Sequence, residues 1–210
     1  GYLSRLGQTA QIEVVGTASS GVELEPMLAA HPADVVLLDV GVPVVPGSPN
    51  PYPILHVIPR LSKIYPDLSI LVISMLTERA LITAVMEAGA RGYLLKDDGA
   101  AMRNLGAIVL AVAGGEIYLS DQAQQQILTR RPKGKGIVLT PRQQEMLSLS
   151  AAYPDWSLQD VAARLNLDYS TVRNTLAHAY LRLGARSLAA AIARARQLGL
   201  ITPLPPETLP

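Results

Sequence analysis

Cysteine is absent from the 210 residues of the chain, so disulfide bonds and thiolate chemistry are excluded. No uninterrupted apolar stretch approaches the roughly 20 residues that a membrane-spanning helix needs, and no charged-then-apolar signal peptide opens the chain. Charged residues make up 17% and hydrophobic residues 49% of the sequence, a balance typical of a folded chain. We therefore expect a soluble cytoplasmic protein that makes no membrane contact.

The net charge of +1 is divided unevenly along the chain. Residues 1–120 hold seven Lys and Arg against eleven Asp and Glu, a net of −4. Residues 121–201 hold eleven against five, a net of +6. An acidic half joined to a basic half is typical of a sensor fused to a domain that binds a polyanion. Because a few charges decide each sign, chance variation is the alternative.

The first 120 residues alternate between short apolar segments and stretches with helical spacing. Strands are predicted at Ile12–Val15, Val35–Leu38, Ile70–Ile73 and Tyr93–Leu95. Helical faces are predicted from Leu55, Ile58 and Leu61, from Leu81, Ala84, Val85 and Ala88, and from Met102, Leu105, Ile108, Val109 and Val112. Strands that alternate with helices indicate a parallel sheet with helices on both faces.

Two stretches punctuate the chain. Residues 43–53 contain five prolines, which exclude helix and central strand there and predict a long, stiff loop. Residues 121–136 run from glutamine-rich to basic with Gly and Pro, a composition typical of an interdomain linker. The predicted division is therefore a regulatory domain over 1–120, a linker over 121–136, a second domain over 137–201 and a tail over 202–210.

Residues 137–201 carry helix-start signals and no strand signal. Four helices are predicted to open at Thr140, Ser157, Asp168 and Ser187, because each of these residue types can cap a helix N-terminus. The second and third helices, separated by the tight Asn166–Asp168 turn, have helix-turn-helix dimensions. This part of the chain is therefore expected to be all-α, with four helices.

The third of these helices presents polar side chains near its N-terminus, namely Ser170, Thr171, Arg173, Asn174 and Thr175. Hydroxyls at a helix N-terminus suit a phosphate, because free backbone N–H groups and the helix dipole both favour an anion. Arginine and asparagine are the side chains that read guanine and adenine edges in the major groove. On patterning alone, an ordinary helical hairpin with a solvated polar face is the alternative.

Five segments of this region resemble the LuxR-type helix-turn-helix in order and nearly in spacing: residues 139–142, 161–165, 170–174, 183–187 and 198–201. By this resemblance the helix that follows Asp168 enters the major groove of double-stranded DNA, with Arg173 and Asn174 facing bases. The resemblance also places phosphates against Thr171, Arg182 and the Ser157/Gln159 end of the preceding helix. In this family the last helix is a dimer contact, which implies a homodimer.

Three chemically different side chains follow three of the predicted strands: Asp39, Ser74 and Lys96. The carboxyl ends of parallel strands share one sheet edge, where ligands bind in open α/β folds. A carboxylate that attacks phosphorus, with a hydroxyl and an ammonium that stabilise the phosphoryl oxygens, suits transient aspartyl phosphorylation. Taken singly, each residue has an ordinary explanation, since Asp and Ser often cap loops and Lys is usually solvated.

Together with Asp34–Asp39 and Gly89–Asp97, these residues resemble a receiver domain of the NarL/FixJ class, which joins a receiver to this same helix-turn-helix. The resemblance implies a flavodoxin-like parallel sheet followed by the four-helix domain, and a transcription regulator rather than an enzyme. It assigns Asp39 as phospho-acceptor, Ser74 as switch hydroxyl, Tyr93 as switch aromatic and Lys96 as the ammonium. A histidine kinase is the implied partner.

The acidic pair that holds Mg²⁺ in receivers has no counterpart here, because residues 12–16 already match the family's second strand. Asp39 alone is then a weak magnesium ligand, and Mg²⁺ is expected only if the domain accepts phosphate. Either natural residues are missing from the sequence, or the receiver is degenerate. Control through phosphorylation of Asp39 is one hypothesis. The other is a phosphorylation-independent pseudo-receiver controlled by a protein partner, a small ligand or constitutive dimerisation.

An α/β enzyme with an appended interaction module is an alternative of a different class. No Gly-rich phosphate loop, metal-ligand cluster or Ser/His/Asp order supports it. His31 lies before Pro32 at a predicted helix end, and His56 and His178 have no acidic partner at ligand spacing. Ordinary surface or helix positions are therefore predicted for the three histidines.

Overall fold

The computed structural model of the chain describes residues 1–128 and 137–203. The first part contains α1 (Tyr2–Leu6), α2 (Leu24–Ala30), β1 (Val35–Asp39), α3 (Ile54–Ile64), β2 (Ser69–Ser74), α4 (Arg79–Glu87), β3 (Gly92–Leu95), α5 (Gly99–Arg103), α6 (Leu105–Ala113), β4 (Tyr118–Leu119) and α7 (Asp121–Leu128). The second part contains α8 (Pro141–Ala152), α9 (Leu158–Leu165), α10 (Tyr169–Leu183) and α11 (Leu188–Gln197). Within these residues, no helix has the length and apolarity needed to cross a membrane.

The four strands form one parallel sheet in the order β1-β2-β3-β4. Every residue of β2 and β3 is buried, as expected for inner strands that helices cover on both faces. Three of the predicted strands are confirmed to within one residue at each end. Strand β4 escaped prediction because two residues are too few to show a periodicity.

The strand predicted at Ile12–Val15 is wrong. This segment forms no ladder with any of the described residues, and Val14 and Val15 are each 41% exposed. In the 2-1-3-4-5 strand order of the flavodoxin-like fold, this segment pairs only with the first strand. None of the described residues forms that first strand. The β-branched composition does not make a strand without a hydrogen-bonding neighbour, because strand propensity depends on packing context.

The apolar helical faces pack against the two sides of the sheet. Helices α3 and α4 bury their predicted residues on one side, except for Ala88, which follows the last residue of α4 and is partly buried. The third predicted face is confirmed as buried, but Asn104 divides it between α5 and α6, which lie on the other side with Leu6, Leu71 and Leu94. The sheet therefore has the covered, doubly wound arrangement predicted from the alternation of strands and helices.

The segment predicted as an interdomain linker, residues 121–136, begins with a helix. Helix α7 buries Ala123 and packs against α4 and β3. Residues 129–136 and 204–210 lie outside the described residues. The division of the chain into domains stays a prediction, but residues 121–128 pack with the first part of the chain.

The four helices of the second part begin where the capping signals predict. Thr140 and Ser157 each form a full capping box with the residue three positions later. Asp168 occupies the N-cap of α10, although its side chain makes no capping hydrogen bond. The turn before α10 is closed by Asn166 in the left-handed conformation, with φ of 52°, a role that asparagine tolerates better than most residues.

The two parts of the chain pack directly against each other through α8, which lies on α3 and α4. Nine of its residues are buried, some in the core of the second part and some against the first. As a result, one continuous cluster of buried apolar side chains runs from Leu28 in the first part to Ile201 in the second.

Candidate functional site

The three residues predicted to meet at the edge of the sheet do so. Asp39 ends β1, Ser74 ends β2 and Lys96 follows β3. The Lys96 Nζ donates a hydrogen bond to Asp39 Oδ2 at 2.5 Å, and the backbone N–H of Gly41 donates to Asp39 Oδ1 at 2.9 Å. A carboxylate and an ammonium therefore converge as the parallel topology requires.

The Asp39–Lys96 pair is open to solvent. The Asp39 side chain is 40% exposed and that of Lys96 is 26% exposed. Ion pairs at this level of exposure contribute only about 0–1 kcal/mol to stability. The carboxylate can thus exchange its partner at little cost, and its oxygens are accessible to a phosphorus atom of an incoming donor.

Ser74 and Tyr93 lie on the inner side of the same edge. Both are buried, and both bond to Leu76: the Leu76 N–H donates to Ser74 Oγ at 2.9 Å, and the Tyr93 hydroxyl donates to the Leu76 carbonyl at 2.8 Å. Desolvation by burial raises the pKa of Tyr93 above its ordinary value, so this hydroxyl keeps its proton. Hydrogen bonds from the two predicted switch residues therefore hold the backbone of the loop between β2 and α4 in place.

The residues described around Asp39 do not fit a magnesium ion. Asp98, two residues after Lys96, accepts hydrogen bonds from the N–H groups of Ala100 and Ala101 and caps α5. Across residues 1–128 and 137–203, no three His, Asp or Glu side chains gather in a group that could hold a metal. Mg²⁺ needs several oxygen ligands, and Asp39 supplies one carboxylate that is already paired with Lys96.

The polar residues predicted to contact DNA lie on the outer face of α10. This helix buries Val172, Leu176, Ala179 and Leu183 against the other helices. The opposite face exposes Ser170, Thr171, Arg173 and Asn174, with Thr175 partly exposed. Ser157 and Gln159, at the start of α9, are exposed as well. Within residues 1–128 and 137–203, seven of the eight predicted contact residues are therefore at least partly exposed and make no hydrogen bond to another helix.

Arg182 differs from the other predicted contacts. Its Nη1 donates to the Val138 carbonyl at 3.0 Å and to Gln143 Oε1 at 3.3 Å. The side chain thus ties the end of α10 to the start of α8. A phosphate contact by Arg182 has to compete with these two bonds, which sequence spacing did not reveal.

His56 lies within α3, a helix position as predicted, but it has an acidic partner that its sequence spacing did not reveal. His56 is 4% exposed, and its Nδ1 lies 3.1 Å from Oε1 of Glu145 on α8, a residue 89 positions away. Glu145 also pairs with Arg142. The contact joins α3 to α8, so the histidine belongs to the interface between the two parts of the chain. Its partner is far away in sequence, which is why spacing gave no signal.

The hydrogen bonds at Glu145 make this interface sensitive to acid. Burial opposes ionisation, but the bonds from His56 and Arg142 lower the pKa of Glu145 below its ordinary value of 4.5. A lowered pKa in the folded state means that the carboxylate stabilises the fold above about pH 4.5 and stops doing so as pH falls through the lowered pKa.

We expect Glu145→Gln to reduce the loss of stability on acidification. The measurement is the free energy of unfolding from urea titrations between about pH 6 and about pH 3, because this interval spans the ionisation of a carboxyl. An acid dependence that is the same in both proteins would contradict the role of Glu145. Glu116→Gln is the matched control, because Glu116 is an exposed carboxylate.

Comparison with known proteins agrees with this geometry. Residues 2–105 match the family model described as a response regulator receiver domain. The response regulator UvrY of Escherichia coli O6:H1 is 30% identical over 166 residues, which cover 78% of this chain and 72% of UvrY. The probable transcriptional regulatory protein NarL of Mycobacterium tuberculosis is 28% identical over 204 residues, which cover 96% and 89% of the two chains.

Among solved structures, RcsB of Salmonella enterica serovar Typhimurium bound to the promoter rprA matches with a TM-score of 0.61 and 22% identity, covering 91% of this chain and 89% of RcsB. This likeness shows the fold: a receiver sheet followed by a helical C-terminal domain. The identity and coverage shared with UvrY establish the protein family in addition to the fold. The chain therefore belongs to the response-regulator family, in its NarL/FixJ branch.

Proposed function

We propose that this protein is a DNA-binding transcription regulator of the two-component response-regulator type. The observation that carries this conclusion is the exposed polar face of α10. This helix lies in the basic part of the chain and follows a receiver-like part. The names of UvrY and NarL describe regulators, and RcsB has been solved on promoter DNA. These relatives support a regulator rather than an enzyme.

Helix α10 has the dimensions and side chains for the major groove. Its 15 residues extend over about 22 Å, and the groove, about 12 Å wide, admits one helix. Arg173 and Asn174 lie in the first turns, where they can reach base edges. Thr171, Ser157 and Gln159 flank them and can bond to phosphates, which fix the position of a helix on DNA without reading sequence.

The test is binding to a duplex selected from a random pool. We expect saturable binding. The logarithm of the binding constant should fall linearly with the logarithm of the salt concentration, because each neutralised phosphate releases counterions. Binding that is absent at low salt, for the full chain and for every selected pool, would contradict the proposed function.

We infer that the protein binds DNA as a homodimer. RcsB has been solved as dimers bound to DNA, and α11 exposes alanines along the face that does not pack on α8 or α10. A symmetric dimer requires two half-sites about 10 base pairs apart. Half-site spacing in the selected duplexes, together with the mass of the complex in solution, decides the stoichiometry.

We further propose that Asp39 accepts a phosphoryl group from a histidine kinase. In this step a carboxylate oxygen of Asp39 attacks phosphorus, the phosphorus–nitrogen bond of the phosphohistidine breaks, and the imidazole leaves with the bonding pair. Lys96, which already donates to Asp39, stabilises the charge on the phosphoryl oxygens. A bond from the Ser74 hydroxyl to the new phosphoryl group would draw Leu76 with it.

A second mode of control is favoured by one observation. The residues described around Asp39 do not make a magnesium site, and Lys96 neutralises the carboxylate in its place. The Asp39–Lys96 ion pair can keep this pocket permanently in its unphosphorylated conformation. The receiver then acts without phosphorylation, under a protein partner, a small ligand or constitutive dimerisation.

The mass of the purified protein after treatment with acetyl phosphate separates the two modes. In the presence of Mg²⁺, we expect one phosphoryl adduct on the wild type. We expect none on Asp39→Asn, which keeps the size of the side chain but removes the nucleophilic oxygen. An adduct that persists in Asp39→Asn would place the acceptor elsewhere. Absence of any adduct would favour the phosphorylation-independent mode and leave DNA binding intact.

A further inference from the structure

The loop between β2 and α4, residues 75–78, is anchored to the candidate phosphorylation pocket. Both backbone groups of Leu76 are used for this purpose: its N–H donates to Ser74 Oγ at 2.9 Å, and its carbonyl accepts from the Tyr93 hydroxyl at 2.8 Å. Ser74 and Tyr93 are both buried. Any rearrangement of either side chain therefore moves Leu76 and the residues that follow it.

Glu78, at the end of the same loop, touches the second part of the chain at Gly199. A Cβ atom placed on Gly199 would lie 2.4 Å from Cγ and 2.7 Å from Cβ of Glu78. Real Cβ contacts are essentially never this close. The Glu78 side chain thus packs against the backbone of residue 199 in a space that only glycine leaves open.

Gly199 is fixed to the DNA-binding part of the chain. It closes α11 with a left-handed φ of 62°, its N–H donates to the Arg196 carbonyl at 3.0 Å, and the Leu200 N–H donates to the Ala195 carbonyl at 2.9 Å. The Leu200 carbonyl in turn accepts from Gln144 Nε2 on α8 at 2.8 Å. A displacement of Gly199 therefore displaces α11 and α8 as well, because hydrogen bonds connect this segment to both helices.

We propose that Glu78 is a positioning residue that transmits the state of the Ser74–Tyr93 pocket to the DNA-binding part through its contact with Gly199. A shift of Leu76 moves Glu78 and changes the distance between its side chain and Gly199. The change in this contact rotates α11 and α8 relative to the sheet. The biological meaning of this coupling rests on the proposed function. The mechanical coupling does not.

The chain offers a matched pair of glycines for the test. Gly184 ends α10 with φ of 64°, and the hydrogen bonds that close it are of the same type, from Gly184 to Leu181 and from Ala185 to Tyr180. None of the described residues has an atom within 4 Å of a Cβ on Gly184, apart from its chain neighbours and its own helix. Alanine at either position therefore imposes the same left-handed backbone strain, but only Gly199→Ala collides with Glu78.

The readout is the amide NMR signals of Leu76 and Tyr93 in the full chain. We expect Gly199→Ala to shift both signals although the substitution lies in the other part of the molecule. Gly184→Ala should leave them in place. Adding Glu78→Gly to Gly199→Ala removes both colliding atoms, Cγ and Cβ, and should return the signals to the positions that Glu78→Gly alone gives. Unmoved signals in Gly199→Ala, or equal shifts in Gly184→Ala, would overturn the proposal.

A thermodynamic cycle with DNA provides the functional arm. Tyr93→Phe removes the hydroxyl that holds Leu76, and we expect it to change the dissociation constant for a selected duplex severalfold. In a Glu78→Gly background, which lacks the side chain that faces Gly199, the same substitution should change that constant no further. Equal fold-changes in the two backgrounds would overturn the coupling. If the wild type binds no duplex, the proposed function fails, and the NMR arm still decides the coupling.

Discussion

Arg173→Ala is expected to weaken binding to the selected duplex by about 10- to 100-fold, which corresponds to roughly 1.4–2.8 kcal/mol. Arg173 is exposed near the N-terminus of α10, where a guanidinium can donate two hydrogen bonds to one guanine. The loss should be concentrated at one base pair of the site, because base contacts specify sequence while phosphate contacts do not. Fluorescence anisotropy with the selected duplex and with single-base variants measures both effects.

Arg103→Ala is the matched control for the loss of one positive charge. Arg103 is exposed at the end of α5, in the first part of the chain. Its removal changes the net charge equally, so a general electrostatic effect would weaken binding in both variants. If Arg173→Ala and Arg103→Ala reduce affinity to the same extent, or if Arg173→Ala leaves the preference at every base unchanged, Arg173 does not read a base.

Leu176→Ala is expected to destabilise the DNA-binding part by about 2–5 kcal/mol. Leu176 is 1% exposed and lies in the middle of the buried face of α10. Truncation removes the transfer free energy of the lost methyl groups and leaves a cavity that the surrounding helices fill only in part. Trp156 is the single tryptophan of the chain and stacks on Tyr153 at 4.1 Å in this part, so its fluorescence in a urea titration reports the unfolding.

Leu181→Ala on the same helix supplies the control. Leu181 is 78% exposed, so its truncation creates no cavity, and alanine is at least as good a helix former as leucine. We expect a change in the free energy of unfolding within about 0.5 kcal/mol. A large loss of stability in Leu181→Ala, or a small one in Leu176→Ala, would mean that α10 is packed in a different rotation from the one described.

Short-range chemistry accounts for most of what the sequence predicted correctly. Thr140 and Ser157 cap helices because their hydroxyls satisfy N–H groups only three residues away, a relation visible in the sequence itself. The convergence of Asp39 and Lys96 was predictable for a topological reason, since parallel strands deliver their carboxyl ends to one edge. In both cases the position of the partner follows from a local or topological rule.

The features that the sequence did not reveal have the opposite property, because they depend on parts of the chain that are far apart. Ile12–Val15 has strand composition, but a strand needs a neighbour at hydrogen-bonding distance, and composition says nothing about that neighbour. His56 pairs with Glu145 and Arg182 with Gln143 across long stretches of sequence. Such contacts depend on how whole helices pack, which no spacing rule encodes. The Glu78–Gly199 contact belongs to the same class.

The apolar cluster that α8 shares between the two parts makes them thermodynamically interdependent. Because buried side chains of α8 face α3 and α4 as well as their own helices, separating the parts would uncover apolar surface on both. Each half would then lose stability, and the exposed face of α8 would favour self-association. Heating the intact chain should therefore give one cooperative transition, so that a destabilising substitution anywhere in the receiver-like part also lowers the melting temperature of the DNA-binding helices.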